Sequence, residues 1–385
     1  MTDSSDGTTV AARIVLAVDP HKASWTAAVV DHTHRVRGQL RVPASRQGYR
    51  QLRRLARRWP TASLTWAVEG AHGLGLPLVQ RLTADAIPVV DVPAKLSARV
   101  RLLATGHGRK TDVADAVATA IAALTAERLR TATVDEHTAT LRLLSDHRDD
   151  LVRGRTQTLN RLHVLLVGLV PTGAQRRLTA ATAAGLLRSA RPHTPAERTR
   201  RALARDLVAE VRRLDRRIAE LDTKIATAVA ATASTLPELC GIGQVVAGKL
   251  LGRVGSITRF GSAAAFAAYC GVAPIEASSG DVVRHRLCRA GDRQLNFALH
   301  VMAITQLRCH GPARAYYLRK RAEGKGRKEA LRCLKRRLAG VVYRTMVRDV
   351  LTRRRRLDTE RRRFQSRGGS PATGCVKAAW RRSIS

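Results

Sequence analysis

Four carboxylates carry the chemistry legible in this chain. Asp19 closes the apolar run RIVLAVD at residues 13–19, and Glu69 closes SLTWAVE at residues 63–69. Both runs read as strands, so both acids stand at strand C-terminal ends, the edge of an α/β sheet where ligands bind. Asp112 and Asp115 lie three residues apart in the first turn of an Ala-rich helical stretch whose N-cap is Thr111, so they share one helix face. Four such acids brought together cannot all stay ionised and unpaired. A divalent cation resolves the conflict, and hard oxygen ligands select Mg²⁺ or Mn²⁺. Two ions about 3.5–4 Å apart would clamp the attacking and leaving oxygens of a phosphodiester exchange. Each acid taken singly has a plainer use: an acid at a strand end suits a turn, and acids in a helix's first turn complement its dipole. Their combination in one basic chain favours nuclease-like chemistry. Arg109 and Lys110, next to the helix acids, suit a substrate phosphate, whereas His72 and His107 read as surface histidines.

The elements that must position these acids alternate in type. Strand patterns at 13–19, 25–31, 36–42, 63–69 and 87–92 are interleaved with helical periodicity at 47–58, 76–83, from 94, and 111–130, with a glycine-rich turn at 70–75 and a basic loop at 106–110. That alternation predicts an α/β domain over residues 11–130. From 131 to 233 the strand signal disappears. Leu141, Leu144, Leu151, Leu159 and Leu162 form one helical stripe, and Leu207, Val211, Leu214, Ile218, Leu221 and Ile225 approximate a heptad. Two long antiparallel helices with a short helical insert near 174–190 are expected, acting either as a solvated spacer or as a dimerising coiled coil. A mainly helical domain follows at 234–350, and residues 351–385 form a basic tail, poor in apolar residues and expected to be disordered when free.

Charge narrows the partner. Lys and Arg number 69 against 30 Asp and Glu, a formal net charge of +39. A chain this cationic repels itself until a polyanion neutralises it, and nucleic acid phosphates do so with release of counterions. An Arg bias from a GC-rich genome is the plainer source of the excess, but such a bias raises acidic residues too. No stretch approaches the ~18 consecutive apolar residues of a membrane span. Residues 1–9 lack the basic and apolar segments of a signal peptide, and the six cysteines form no CxxC pair, so a reduced cytoplasm is the expected setting and no membrane partner is foreseen.

Two further segments bear on phosphate chemistry. LPELCGIGQVVAGKLL at 236–251 has the layout of a helix-hairpin-helix, in which Gly241 and Gly243 would let backbone amides approach phosphate oxygens; the alternative is a helical corner whose glycines serve close packing. The stretch YCGVAPIEASSGDVVRHRLCRAGDRQLN at 269–296 holds Ser278 and Ser279 in a loop flanked by Arg284, Arg286, Arg289 and Arg293. A serine hydroxyl is a weak nucleophile at its ordinary pKa, but arginines and a metal-bound phosphate would assist it. Ser-Ser-Gly as a simple turn is the competing reading.

In order, VLAVD, WAVEG, GRKTDVADA, LCGIGQVVAGKLL, GVAPIEASSG and RAGDRQLN resemble the DEDD transposases of the IS-one-ten group of insertion sequences, over roughly residues 13–350. The resemblance implies an α/β N-terminal domain of RNase H/RuvC-like fold whose Asp19, Glu69, Asp112 and Asp115 bind Mg²⁺. It implies a helical spacer and a C-terminal transposase domain with a helix-hairpin-helix-like motif. Ser279, or else Ser278, would attack DNA there and form a transient phosphoserine link. It further implies a structured guide RNA that pairs with donor and target DNA, homo-oligomers in which domains of different subunits meet, and work at the bacterial nucleoid. The competing functions are a Holliday-junction-type nuclease that uses the acids and water alone, and a nucleic-acid-binding scaffold without catalysis.

Overall fold

The computed structural model of the protein describes residues 13–366 except 72, 104–110, 128, 133–134, 171–176, 277–284 and 288–290; the side chains at 285, 287, 357, 361 and 364–366 are likewise outside the described set. The chain divides into two compact units, Met1–Val134 and Asp135–Ser385.

In the first unit, β1 (Ile14–Pro20), β2 (Ser24–Asp31) and β3 (Val36–Pro43) form an antiparallel meander, as the few residues between them allow. Helix α1 (Arg46–Ala56) then crosses over, so that β4 (Leu64–Glu69) lies parallel to β1, and α2 (Leu76–Ala84) does the same for β5 (Val89–Val92). Helices α3 (Ala94–Leu103) and α4 (Asp112–Thr125) follow, and the short β6 (Arg130–Thr131) pairs antiparallel with β5. The sheet order is β3-β2-β1-β4-β5-β6. Strands and helices thus alternate as expected of an α/β domain, and the sheet they form is mixed. The last helix of this unit, however, stops at Thr125 rather than running to Arg130, because the chain turns extended at Ala126 to supply β5 with its edge partner.

Strands β1 and β2 are buried on both faces, which is why they read as near-continuous apolar runs rather than alternations. Leu16, Val18, Trp25 and Trp66 face one way, with Leu52 of α1 and Leu78 and Leu82 of α2. Val15, Ala17, Ala28, Val30 and Ala67 face the other, against Ala116, Ala120 and Ala123 of α4. That second interface is built largely of alanine, so α4 seats close on the sheet.

The second unit is helical apart from a two-stranded ribbon. It comprises α5 (Glu136–Val167), α6 (Ala180–Ser189), α7 (Pro195–Ala231), α8 (Gln244–Val254), α9 (Ala263–Tyr269), β7 (Pro274–Glu276), β8 (His285–Leu287), α10 (Arg293–Arg308), α11 (Pro312–Ala322) and α12 (Arg327–Ser366). The expected antiparallel pair is α5 and α7: Arg148 pairs with Asp222 and Arg155 with Asp215, so the numbers run in opposite senses. α6 is the expected insert between them, and it packs on Leu162, Leu166, Ala204 and Val208. The pair does not end as a solvated rod. Leu141, Ile225 and Val229 enter the same core as Leu250, Phe266, Leu299, Met302, Leu334 and Leu338. A Cβ at Gly252 of α8 would stand 2.5 Å from Arg142 N, so α8 rests backbone to backbone on α5. The basic tail expected from 351 begins inside α12, whose helix continues to Ser366; residues 352–366 contain no Gly or Pro, and Arg is a good helix former. Among the described residues, no helix is long and apolar enough to cross a membrane.

Candidate active site

Sheet register brings the first two acids together. β1 and β4 are parallel with Val18 opposite Val68, so Asp19 and Glu69 are the next residues on adjacent strands. α4 delivers the other two. Its N-cap Thr111 accepts from Ala114 N at 3.2 Å, and the first turn places Asp112 and Asp115 on the face that meets the sheet edge.

Asp19 and Asp115 are buried, at 9% and 7% exposure, while Asp112 and His21 lie at the open side of the cluster. His21 bridges the two halves, with Nδ1 3.6 Å from Asp19 Oδ2 and Nε2 3.5 Å from Asp112 Oδ1. Ligating atoms of Asp19, His21 and Asp112 all fall within 4.8 Å of one another. Arg41 of β3 reaches Asp112 at 3.2 Å, and Arg101 of α3 reaches Asp115 Oδ1 at 2.9 Å. Glu69 is tied to α4 through the buried Thr119, whose Oγ1 is 2.9 Å from Glu69 Oε2, 2.9 Å from the Asp115 carbonyl and 3.1 Å from Ser97 Oγ. The four acids thus form one constellation held by three elements, β1, β4 and α4.

Electrostatics favour a cation there. Burial pushes the Asp19 carboxyl up to about 6; His21 opposes the shift, and the charges of Glu69, Asp115 and Asp112 add to it. Asp115 Oδ1 is buried and, although it sits beside Arg101, accepts no hydrogen bond; His21 Nδ1 is also buried without one. Acceptor atoms left open in a cluster of carboxylates fit a divalent cation, which Asp19, Glu69, Asp112 and Asp115 would hold with His21 beside them.

Residues 16–171 match the family model described as a DEDD transposase of the IS110 type, and residues 233–318 match the model described as transposase IS116/IS110/IS902 family. The insertion element IS116 uncharacterized 44.8 kDa protein of Streptomyces clavuligerus is 30% identical over 333 residues, covering 74% of this chain and 82% of that protein. The chain belongs to the IS116/IS110/IS902 transposase family. The corresponding protein of insertion element IS900 from Mycobacterium paratuberculosis is 26% identical over 74% of this chain and 83% of its own length. Thermus thermophilus RuvC in complex with Holliday junction substrate aligns with 31% of this chain and 99% of its own length, at 17% identity and a TM-score of 0.24.

In this transposase, the remaining sequence-predicted residues fall in several places. Lys110, Arg109, His72, His107, Ser278, Ser279, Arg284 and Arg289 lie outside the described residues. Arg286 is exposed on β8, and Arg293 is exposed at the start of α10, whose N-cap Asp292 accepts from Gln294 N and Leu295 N. The hairpin at 236–251 has only a single 3₁₀ turn, Leu236–Glu238, where a first helix was expected. Gly241 has φ +83° and a Cβ there would stand 2.9 Å from the Met302 carbonyl, so its glycine is accounted for by packing against α10; Gly243 caps α8 with open space around it. Sequence reasoning missed His21, Arg41, Arg101 and Thr119. Thr119 had a usable signal, since it lies four residues after Asp115 on the same helix face. His21 had a weaker one, two residues beyond a strand-end acid. Arg41 and Arg101 reach the site from elements whose placement only the fold reveals.

Proposed function

We propose that this transposase cleaves and rejoins DNA strands by phosphodiester exchange, with Mg²⁺ or Mn²⁺ held by Asp19, Glu69, Asp112 and Asp115 and with Ser279 as nucleophile. The reading rests on one observation: four carboxylates from three elements converge at a sheet edge, inside the segment that matches the DEDD transposase model. A bound cation supplies Lewis-acid stabilisation of charge on the phosphoryl oxygens. The chain's own residues set the frame. Thr119 orients Glu69, Arg101 steadies Asp115, and His21 and Arg41 sit at the open side, where a strand would approach. In the serine step, Oγ bonds to phosphorus while one P–O bond to a deoxyribose oxygen breaks; the serine proton departs, and the freed oxygen takes one up. A hydroxyl of the incoming strand then displaces Oγ.

Arg284, Arg286, Arg289 and Arg293, with Lys110, would contact the DNA backbone, as would the amides around Gly241 and Gly243. An element-encoded structured RNA would choose the sites, and a homo-oligomer would bring the serine of one subunit to the acids of another. The test is strand exchange with purified protein, flanking RNA, and donor and target DNA, run with Mg²⁺ and with EDTA and resolved before and after protease. Metal-dependent exchange with a protease-sensitive adduct that Ser279→Ala removes and Ser278→Ala keeps is the expected result. Metal-dependent cutting without an adduct would replace it with a junction nuclease, and binding without cutting would leave a scaffold.

A further inference from the structure

The second unit contains a cavity of about 470 Å³ between the β7–β8 ribbon and helices α10, α11 and α12. Its described lining mixes two kinds of side chain: Val272, Ala273, Pro274 and Tyr316 supply apolar surface, and Arg286, Lys325, Arg332, Lys335 and Arg336 supply cations. Glu329 is the one acid among the described lining residues, and Lys325 already pairs with it at 2.9 Å. Lys335 is the unusual member. It is 8% exposed, and no described carboxylate lies within ion-pair distance of it. Its partner is Asn296 Oδ1, whose amide is itself fixed by donating to the Cys270 and Gly271 carbonyls at 3.2 and 2.9 Å.

A buried ammonium with one neutral acceptor has two donors left and carries a desolvation cost that an apolar side chain of the same length would avoid. Elsewhere in this unit the buried Lys249 meets that cost with the carboxylate of Asp149 at 2.7 Å, so the difference at Lys335 is specific to the cavity. Arg332 and Arg336, one turn apart on the same helix, add positive charge: Arg332 shares Glu329 with Lys325, and Arg336 has no described carboxylate within ion-pair distance. Anchored donors, surplus charge and apolar surface beside a tyrosine are what a phosphate with an attached sugar and base requires.

We propose that this cavity binds one nucleotide unit of a nucleic-acid strand, its phosphate held by Lys335, Arg332 and Arg336 and its base against Tyr316 and Pro274. The site rests on the reading of the protein as one that acts on DNA, and it adds a strand contact separate from the acid cluster. Burial lowers the Lys335 pKa, and a phosphate would reverse that shift.

The test uses the full-length protein in EDTA, so that metal chemistry plays no part. The probes are thymidine 3′,5′-bisphosphate, inorganic phosphate and a short single-stranded oligonucleotide, each measured by calorimetry. Cys333 also lines the cavity and reports on it through alkylation by iodoacetamide, followed by peptide mass spectrometry. The bisphosphate is expected to bind more tightly than phosphate and to protect Cys333. Lys335→Met should weaken binding about 10- to 100-fold, the loss of one charge-assisted contact. Arg332→Ala with Arg336→Ala, at one exposed and one half-buried position, should weaken it comparably while leaving the buried core residues of the helix in place, and Arg212→Ala on α7 should leave it unchanged. Wild-type affinity in both cavity variants, or bisphosphate binding that leaves Cys333 fully reactive, overturns the proposal. Phosphate binding as tightly as the bisphosphate would overturn the nucleotide assignment in favour of a bare anion site. Because Asp19→Asn should bind the bisphosphate normally, loss of strand exchange in that variant would bear on the acid cluster alone.

Discussion

Thr119→Val isolates how the cluster is held. The substitution keeps shape and removes one hydroxyl, which is fully buried and lies within 3.1 Å of Glu69 Oε2, the Asp115 carbonyl and Ser97 Oγ. Glu69 and Ser97 both lose a partner, and Ser97 is itself fully buried. A buried group left unpaired costs about 1–3 kcal/mol. For a unit of this size that is a fall in Tm of roughly 3–12 °C. The consequence for the site is separate. A residue that orients a metal-binding carboxylate without touching the ion typically contributes about 10- to 100-fold in affinity. Mn²⁺ titration followed by electron paramagnetic resonance should show that weakening in Thr119→Val, while Thr119→Ser, which retains the hydroxyl, should bind within a few-fold of wild type. A Thr119→Val protein that melts earlier but binds Mn²⁺ as tightly as wild type would refute the argument, because Glu69 would then be positioned without Thr119.

Other outcomes follow from the same contacts. Ala120→Leu inserts three carbons between α4 and the sheet, where Ala120 is fully buried; overpacking of this kind costs about 1–3 kcal/mol, visible in urea unfolding, and it should abolish metal-dependent cleavage by lifting Asp112 and Asp115 away from Asp19. Asp31 accepts from Thr33 Oγ1, Arg37 Nε and the amides of Arg35 and Thr33, which together hold its carboxyl well below the usual range. Its folded pKa lies below its unfolded value of about 3.9, so its contribution is whole above that pH and fades as pH falls toward the folded value. Asp31→Asn should therefore flatten the acid limb of a stability–pH curve measured by urea midpoints. Burial pushes the Cys270 thiol up to about 12, so iodoacetamide at mildly alkaline pH should spare it in the native protein and label the exposed Cys240 and Cys309. Because the Cys240 and Cys309 sulfurs are 3.6 Å apart, oxidised glutathione should link them, as a peptide map would reveal.

The sequence by itself determined the strands and the helix that carry Asp19, Glu69, Asp112 and Asp115, though not the 3₁₀ turn at 236–238 or the helix that continues to Ser366. Short apolar runs such as VLAV and WAV, rich in valine and tryptophan and bounded by turn residues, favour strands buried on both faces, and an acid ending such a strand comes to the sheet's edge. Thr111 and the alanines after it specify a helix start and a face narrow enough to pack closely. The stripe of Leu141, Leu151 and Leu162 foretold α5 in the same way. Local periodicity and capping are properties of neighbouring residues, so they can be read without the fold. What tertiary structure decided is which distant groups meet. Arg41 sits on the edge strand β3 and Arg101 on the helix after β5, and nothing local to either residue announces an acid. The glycine of the hairpin at 241 reads in sequence either as a phosphate cradle or as a tight corner, and only the fold shows that α10 approaches it too closely for a side chain. Lys335 lies in a basic helical run like any other, and only the packing of α10 and α12 removes it from water and gives it, among the described residues, a neutral amide oxygen rather than an acid. Burial and pairing depend on contacts across tens to hundreds of residues, and those are set when the elements pack.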